Sequence, residues 1–361
     1  MAGNRCRGYS YLCIMVTKTL KPDIRQQSLE QLVSFFEGQG EKAFRGRQVF
    51  QWLWEKSADD FQSMTNLSEK HRKLLDEHFS LNPIRLDQSQ VSADRTIKSR
   101  FRLYDGHLIE GVLIPTAKRM TACVSSQVGC SLSCKFCATG YMDRARNLDA
   151  AEIYDQVVQI AAQAQDYYQK PLTNIVFMGM GEPLLNYQNV LRAIEYITGK
   201  QGLGMSSKRI TVSTAGISKM IKKLGEDQVK FNLALSLHAA NDQKRNQIMP
   251  INESNSLAAL EQALNYYYRA TGNEITLEYI VFYDFNDSLD DARELLKFTR
   301  KVPSKVNLIE YNPIKEADFV NTKDDRLKRF ADYLEQNRVN VHVRYSRGKD
   351  IDAACGQLAN K

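Results

Sequence analysis

From Thr121 onward the chain repeats one structural unit. Runs of buried-type strand residues, "ACVSSQ", "NIVFMG", "ITVSTA", "FNLALSLH", "ITLEYIVF" and "KVNLIEYN", are each followed by a helical pattern. Parallel neighbouring strands need helical crossovers, so six such pairs predict a parallel α/β sheet. Six is fewer than a closed barrel uses, and a partial barrel or an open doubly wound sheet both fit the count. Asp149, with Glu152 three residues on, is a capping-box-like start for one of the helices.

Ahead of this unit, "SLEQLVSFF", "AFRGRQVFQWLWEK" and "LSEKHRKLLDEHF" place apolar residues at helical spacing. They read as a small helical domain displaying Arg45 and Arg47. A hairpin over "SRFRLYDGHLIEGVLIP" follows, with Asp105-Gly106 as its turn. The expected organisation is a disordered extension over 1–19, a helical domain over 20–95, and a second domain over 96–361. The opening "MAGNRCRGYSYLCIMV" sets arginines ahead of an apolar run of about eight residues with no small-residue cleavage site, which argues against export. Met15 begins a more ordinary sequence, and residues 1–14 read as an upstream extension without a structural role. No apolar run approaches the roughly 18 residues of a membrane helix, so a cytoplasmic protein with no membrane partner is expected. At 43% hydrophobic residues the chain can bury a sizeable core. Its net charge of +7 permits a polyanionic partner without requiring one.

Seven cysteines, an odd number with four of them in one short stretch, point to metal or redox chemistry in a reducing compartment rather than to a disulfide scaffold. Cys130, Cys134 and Cys137 form a C-x3-C-x2-C spacing in the loop after the first strand of the unit. Structural zinc commonly draws its ligands from paired C-x2-C motifs, and a second pair is missing. Three thiolates suit a four-iron cluster with one iron left open to bind substrate.

With Phe136 before the last cysteine, this spacing resembles the radical S-adenosylmethionine (SAM) superfamily. The resemblance implies an α/β fold built as a partial (β/α)6 barrel, in agreement with the six-unit count, here joined to a small N-terminal helical domain by a linking β-hairpin. It also implies a [4Fe-4S] cluster on Cys130, Cys134 and Cys137. The open iron would chelate the amino and carboxylate groups of SAM, and an electron would split it to methionine and a 5′-deoxyadenosyl radical. Polar residues stand at the expected carboxyl ends of strands. "GMGEP" follows the second strand, and the resemblance gives Gly181 and Glu182 contacts to the methionine moiety. Ser213 ends the third strand, Ser236, Leu237 and His238 the fourth, and Asn312 the sixth. Singly such residues are as readily structural; four strand ends beside a cluster motif read as a cofactor pocket.

Cys123 on the first strand and Cys355 in "RGKDIDAACGQL" would, in isolation, be a core hydrophobe and a tail thiol. Together with "ACVSSQVGC", "FCATG", "RNLDAAEI", "FMGMGEPLLN", "ITVSTAGI", "LALSLHA" and "YNPI", however, they resemble the bacterial adenine-C2 methyltransferases of 23S rRNA and tRNA, over roughly residues 20 to 358. Adenine C2 is an electron-poor carbon with no nucleophilic lone pair, so direct transfer of an electrophilic methyl group fails there. The resemblance implies a detour using two SAM molecules per turnover: one methylates Cys355, and the second yields the radical that activates the S-methyl group. The resulting carbon adds to C2, Glu110 removes the C2 proton, and Cys123 attacks the Cys355 sulfur to free the product and leave a disulfide. An external electron donor and a disulfide reductant are therefore expected partners besides 23S rRNA and tRNA, with the protein a monomer. Three other readings stay open: a sister enzyme methylating C8, a radical-SAM enzyme acting on a small molecule or protein, and a non-catalytic RNA-binding protein with a structural metal. Lys118, Arg119, Lys135, Arg144, Arg146, Lys208, Arg209, Arg344, Arg347 and Lys349 are expected near the mouth, where they would neutralise phosphates. The Cys355 segment, between Gly348 and Gly356, reads as mobile, and Tyr266 to Tyr268 as helix packing plus surface.

Overall fold

The computed structural model describes residues 21–360; the expected extension over 1–19, with Cys6 and Cys13, lies outside them. Three helices come first, α1 (Leu29–Gly38), α2 (Phe44–Trp54) and α3 (Glu69–His78). Ser28 caps α1 through a reciprocal pair with Gln31. Gly46 lets α2 lie against α1, because a Cβ there would come within 2.5 Å of the Val33 nitrogen. This small bundle is docked rather than free-standing. Trp54, fully buried, stacks on Tyr196 with ring centroids 3.7 Å apart and meets Tyr154 edge-on at 5.2 Å. Arg25 donates to the Asp155 carboxylate at 2.7 Å and to the Asn82 carbonyl at 2.6 Å.

A ten-stranded sheet organises the rest. β1 (Arg85–Val91), β2 (Ile97–Arg102) and β3 (Leu108–Pro115) form an antiparallel meander, and β3 runs antiparallel to β4 (Met120–Cys123). Two short strands, β5 (Gln127–Val128) and β6 (Arg146–Asn147), then pair with each other across the neck of a long loop. After them β7 (Asn174–Phe177), β8 (Ile210–Thr214), β9 (Asn232–Ser236), β10 (Ile275–Val281), β11 (Ser304–Glu310) and β12 (Val341–Arg344) continue the sheet in parallel from β4. The crossovers are α4 (Ala150–Tyr168), α5 (Tyr187–Thr198), α6 (Ser218–Glu226), α7 (Asp242–Ile248) with α8 (Leu257–Thr271), α9 (Leu289–Thr299) and α10 (Asp324–Gln336). The six strand–helix units stand as the rhythm predicts, and α4 starts where Glu152 accepts from the Asp149 amide at 2.9 Å.

Two strands carry no signal of their own. β1, "RLDQSQV", is exposed or half-buried throughout, so it lacks apolar alternation and is held by main-chain pairing to β2. β12 is a short seventh parallel strand at the far edge. The sheet therefore begins at Arg85, ahead of the expected boundary at 95, and the hairpin is part of a three-strand meander. With β1 and β12 as separate edges the barrel is partial. Tyr267 is buried in α8 while Tyr266 and Tyr268 reach solvent, in keeping with packing plus surface. Among the described residues no helix is long and apolar enough to cross a membrane.

Candidate active site

The three clustered cysteines sit in the loop between β4 and α4, and its geometry is built in. Gly129 has φ +73°, and a Cβ there would collide with the Asp143 carbonyl at 2.1 Å. Ser133 is also left-handed, at φ 51°. The Cys137 amide donates to the Cys134 carbonyl at 3.2 Å, and the Lys135 amide to Ile248 at the end of α7 at 3.0 Å. These turns bring Cys130, Cys134 and Cys137 to the wall of one cavity of about 160 Å³. An ordered water needs roughly 10–15 Å³, so the space suits a small molecule. No lining residue comes from α4–α10; strands, strand ends and loops enclose it. A larger open groove of about 630 Å³ on the helical layer holds Lys222, Tyr266 and Arg269 but no thiol.

Do these thiols fit a cluster? Among the described residues no three His, Cys, Asp or Glu side chains converge tightly enough to hold a metal ion. The cysteines instead flank a shared space, the arrangement a polynuclear cluster needs when each thiolate binds its own iron. Burial pushes the Cys130 thiol up to about 11 and the Cys134 thiol well above its ordinary value, with Cys137 and Cys130 adding to the latter. They are poor thiolates alone, and a bound cation is what would deprotonate them. The donor set fits.

The "GMGEP" turn forms the next part of the wall. Gly181 has φ +94°, and a Cβ would meet Gln127 at 2.5 Å, so a side chain is excluded twice. Gln127 accepts the Glu182 amide at 2.8 Å, and Ser125 accepts that of Met180 at 2.8 Å. Glu182 lines the cavity with both oxygens held by backbone, accepting from Leu184 at 3.0 Å and Ala215 at 2.7 Å. Ser213 and Ser236 share the cavity, their hydroxyls 3.4 Å apart. His238, left-handed at φ 55°, accepts the Ile280 amide on Nδ1 at 3.1 Å, which leaves the proton on Nε2. Its ring meets Phe136 edge-on at 4.7 Å, and burial, then the charge of Arg245, pushes the imidazole down to about 3.

Two expected cofactor residues stand back from the cavity wall. Leu237 is fully buried, its amide donating to the Glu278 backbone carbonyl at 2.9 Å and its own carbonyl accepting from Arg245 at 3.0 Å. Asn312 donates from Nδ2 to the Cys355 carbonyl at 3.1 Å, and its buried Oδ1 has no hydrogen-bond partner among the described residues.

Cys355 faces into the same cavity. The residue is exposed, yet what it is exposed to is the cavity: burial, then the Glu278 carboxylate and Cys137, push its thiol up to about 11. The tail that carries it is pinned. The Gly356 carbonyl accepts from the Ala138 amide at 2.7 Å, and the Leu358 carbonyl from the Thr139 hydroxyl at 2.6 Å. Upstream, Arg347 donates to the Pro115 carbonyl at 2.6 Å and Asp350 accepts from the Ser92 hydroxyl at 2.6 Å. The mobile segment expected between two glycines is thus a strap with contacts along its length, made to residues far away in sequence. Cys123 lies buried behind the cavity, where burial and then the nearby Cys355 raise its thiol.

Glu110 is brought to the tail, not to the cavity wall. The sheet register sets Val112 opposite Cys123, so Glu110 shares a face with Cys123. Its carboxylate is fully buried, accepts the amides of Ala359 at 2.9 Å and Asn360 at 3.0 Å, and lies 3.5 Å from the Lys98 ammonium.

Of the expected basic mouth, Lys135 and Arg144 are exposed on the cysteine loop. Lys118 and Arg119 precede β4, and Lys208 and Arg209 precede β8, which sets these four at the amino ends of strands, opposite the cavity. Arg146 is spent on Glu152 and Asp105, Lys349 on Glu310, and Arg344 stays exposed at the end of β12. Sequence reasoning passed over Glu278, a buried carboxylate on the cavity wall bonded to Asn307 at 2.8 Å, and the buried Arg245.

Residues 23–81 match the ribosomal RNA large subunit methyltransferase N-terminal domain, and residues 124–299 match the radical SAM superfamily. Among curated proteins, a probable dual-specificity RNA methyltransferase RlmN of Cytophaga hutchinsonii is 60% identical, covering 97% of each chain. The dual-specificity RNA methyltransferase RlmN of Geobacter sulfurreducens is 42% identical over 94% of this chain and 92% of its own. A crystal structure of a radical SAM methyltransferase from Sphaerobacter thermophilus superposes with a TM-score of 0.89 at 38% identity, covering 94% of this chain and 100% of that one.

Proposed function

The chain belongs to the dual-specificity RNA methyltransferases of the radical SAM superfamily, and from that premise we propose that it methylates C2 of an adenosine in the peptidyl-transferase centre of 23S rRNA and of the adenosine 3′ of the anticodon in tRNAs. The observation that carries this reading is the position of Cys355, a thiol with no role in a plain cofactor site, on the wall of the cavity that Cys130, Cys134 and Cys137 share, with Cys123 close behind it.

Cys130, Cys134 and Cys137 would hold the [4Fe-4S] cluster, and Gly181, Glu182, Ser213, Ser236 and His238, which line the same cavity, would bind SAM. When bound, the cluster and two SAM molecules per turnover supply a methyl group and a 5′-deoxyadenosyl radical. Cys355 carries the methyl carbon to the base. Glu110 takes the C2 proton, once Ala359 and Asn360 have lifted from it. Once the adduct has given its unpaired electron back to the redox centre the three cysteines would hold, the Cys123 thiolate attacks the Cys355 sulfur; the carbon leaves with the bonding pair and takes a proton to become the methyl group, and a disulfide remains for an external two-electron reductant. The helical segment ahead of the sheet docks structured RNA, and the exposed Lys135, Arg144 and Arg344 contact phosphates near the mouth. The adenine must leave its stack to reach the sulfur, so a loop with a splayed base is the expected substrate.

The test is anaerobic turnover on 23S rRNA and tRNA, followed by digestion and mass spectrometry of the nucleosides. 2-Methyladenosine in both is expected. 8-Methyladenosine would assign the sister chemistry instead, and unmodified RNA with intact SAM would leave only RNA binding.

A further inference from the structure

Arg245 stands on α7 with none of its surface exposed. Nε donates to the Leu237 carbonyl at 3.0 Å, Nη1 to Asn252 Oδ1 at 2.6 Å, and Nη2 to the carbonyls of Ala215 at 2.6 Å and Ser236 at 3.1 Å. None of these acceptors is charged. Asp242 is reached only through Asn252, whose Nδ2 donates to it at 2.8 Å. A guanidinium keeps its charge, so a full positive charge lies in the interior against neutral partners. Burying a charge that way is costly unless an opposite charge is close.

Cys134 and Cys137 pack against the hydrophobic cluster that holds Ile248 and Met249 at the end of the same helix, so a thiolate formed there would supply that charge. The end of α7 touches the cysteine loop, where the Ile248 carbonyl accepts the Lys135 amide at 3.0 Å. Arg245 therefore backs the loop bearing Cys134, and two of its three carbonyl partners, Ala215 just past β8 and Ser236 at the end of β9, line the cavity.

Given the reading above that Cys134 helps hold a four-iron cluster, we propose that Arg245 is a positioning residue for that cluster: its buried charge stabilises the reduced, more negative form and raises the reduction potential. One electron enters the cluster from an external donor, and no proton or leaving group is involved. The attraction acts in a low-dielectric interior, where it is not screened away.

The experiment is an electron-paramagnetic-resonance redox titration of the reconstituted full-length protein, with iron counted in each sample. Arg245→Met should make reduction at least tenfold less favourable, a midpoint about 59 mV more negative for one electron. Arg245→Lys, which keeps the charge but loses the fork of hydrogen bonds, should stay well within that shift. Should Arg245→Met fail to hold iron, Asn252→Asp sets a carboxylate against Nη1 and carries the same expectation of a more negative midpoint. Equal shifts in the Met and Lys variants, or a midpoint that rises as water enters a loosened site, would overturn the proposal. Wild-type protein that binds no iron would instead overturn the cluster assignment on which it rests.

Discussion

The backbone amide of Asn360 donates to the Glu110 carboxylate at 3.0 Å, joining the tail to β3 across 250 positions of sequence. The Ala359 amide shares the same oxygen at 2.9 Å. The group proposed to accept the C2 proton is therefore also the latch of the strap that carries Cys355. Both amides fall on Oε2, while Oε1 has no hydrogen-bond partner among the described residues and lies 3.5 Å from the Lys98 ammonium; because the carboxylate is fully buried, a substrate reaches it only as the strap's end moves.

Glu110→Gln removes the charge from that latch. A hydrogen bond to a charged group is worth about 1.5–3 kcal/mol, so exchange of the amide hydrogens beyond Gly356 should speed up by roughly one to two orders of magnitude. Hydrogen–deuterium exchange of the C-terminal peptide in the protein without RNA reads this directly. Unchanged protection would mean that the carboxylate does not hold the strap.

The front helices are pinned by Arg25 and Asp155, a pair in which Arg25 is 4% exposed. Arg25→Met strands a half-buried carboxylate that keeps only the Ile84 amide, at a cost to the docked arrangement below the roughly 3–5 kcal/mol of breaking a fully buried pair. Weaker RNA binding and faster proteolytic cleavage between α3 and β1 are expected, with iron content unchanged because the cysteine loop is remote in sequence. Arg25→Met combined with Asp155→Leu should recover most of the loss. Full RNA affinity in the single variant would separate the helical segment from RNA docking.

His238 predicts an acid limb in stability. Its folded-state proton affinity is depressed to about 3, so between there and its ordinary value near 6.5 the unfolded chain binds a proton that the native site refuses. The stability it contributes is present above that window and is lost as pH falls through it, by up to about 1.4 kcal/mol per pH unit. His238→Asn, which tolerates a left-handed backbone and can still accept the Ile280 amide, should flatten this limb. Urea midpoints of the cluster-free protein at pH 4.5 and 7 test it; identical slopes in both proteins would contradict it.

What could be read in the sequence was what local spacing dictates. The C-x3-C-x2-C motif, the six strand–helix units and the Gly181–Glu182 turn each follow from constraints within a few residues. The missing parts depend on distant partners. Arg245 looks like any basic residue on a polar helix, because the carbonyls that bury it stand just past the ends of β8 and β9. The strap looks mobile because Thr139, Asp94 and Glu110, which hold it, lie more than two hundred positions upstream. Lys118 and Lys208 read as mouth residues until the strand direction sends them to the other end.

The central claim is that two identical side chains, Cys123 and Cys355, do different chemistry, and one denaturing gel tests it. Each is replaced by alanine, and the anaerobically reconstituted variants are incubated with SAM, a reductant and substrate RNA. Cys355→Ala has no sulfur to carry carbon and should form neither RNA adduct nor methylated adenosine. Cys123→Ala should still load Cys355 and attack the base, then stall with RNA bound covalently through Cys355, since no second thiolate can cut the tether. A slow-migrating, nuclease-sensitive protein band in Cys123→Ala alone is the predicted result. Normal turnover by Cys123→Ala, or no adduct in either variant, would contradict it.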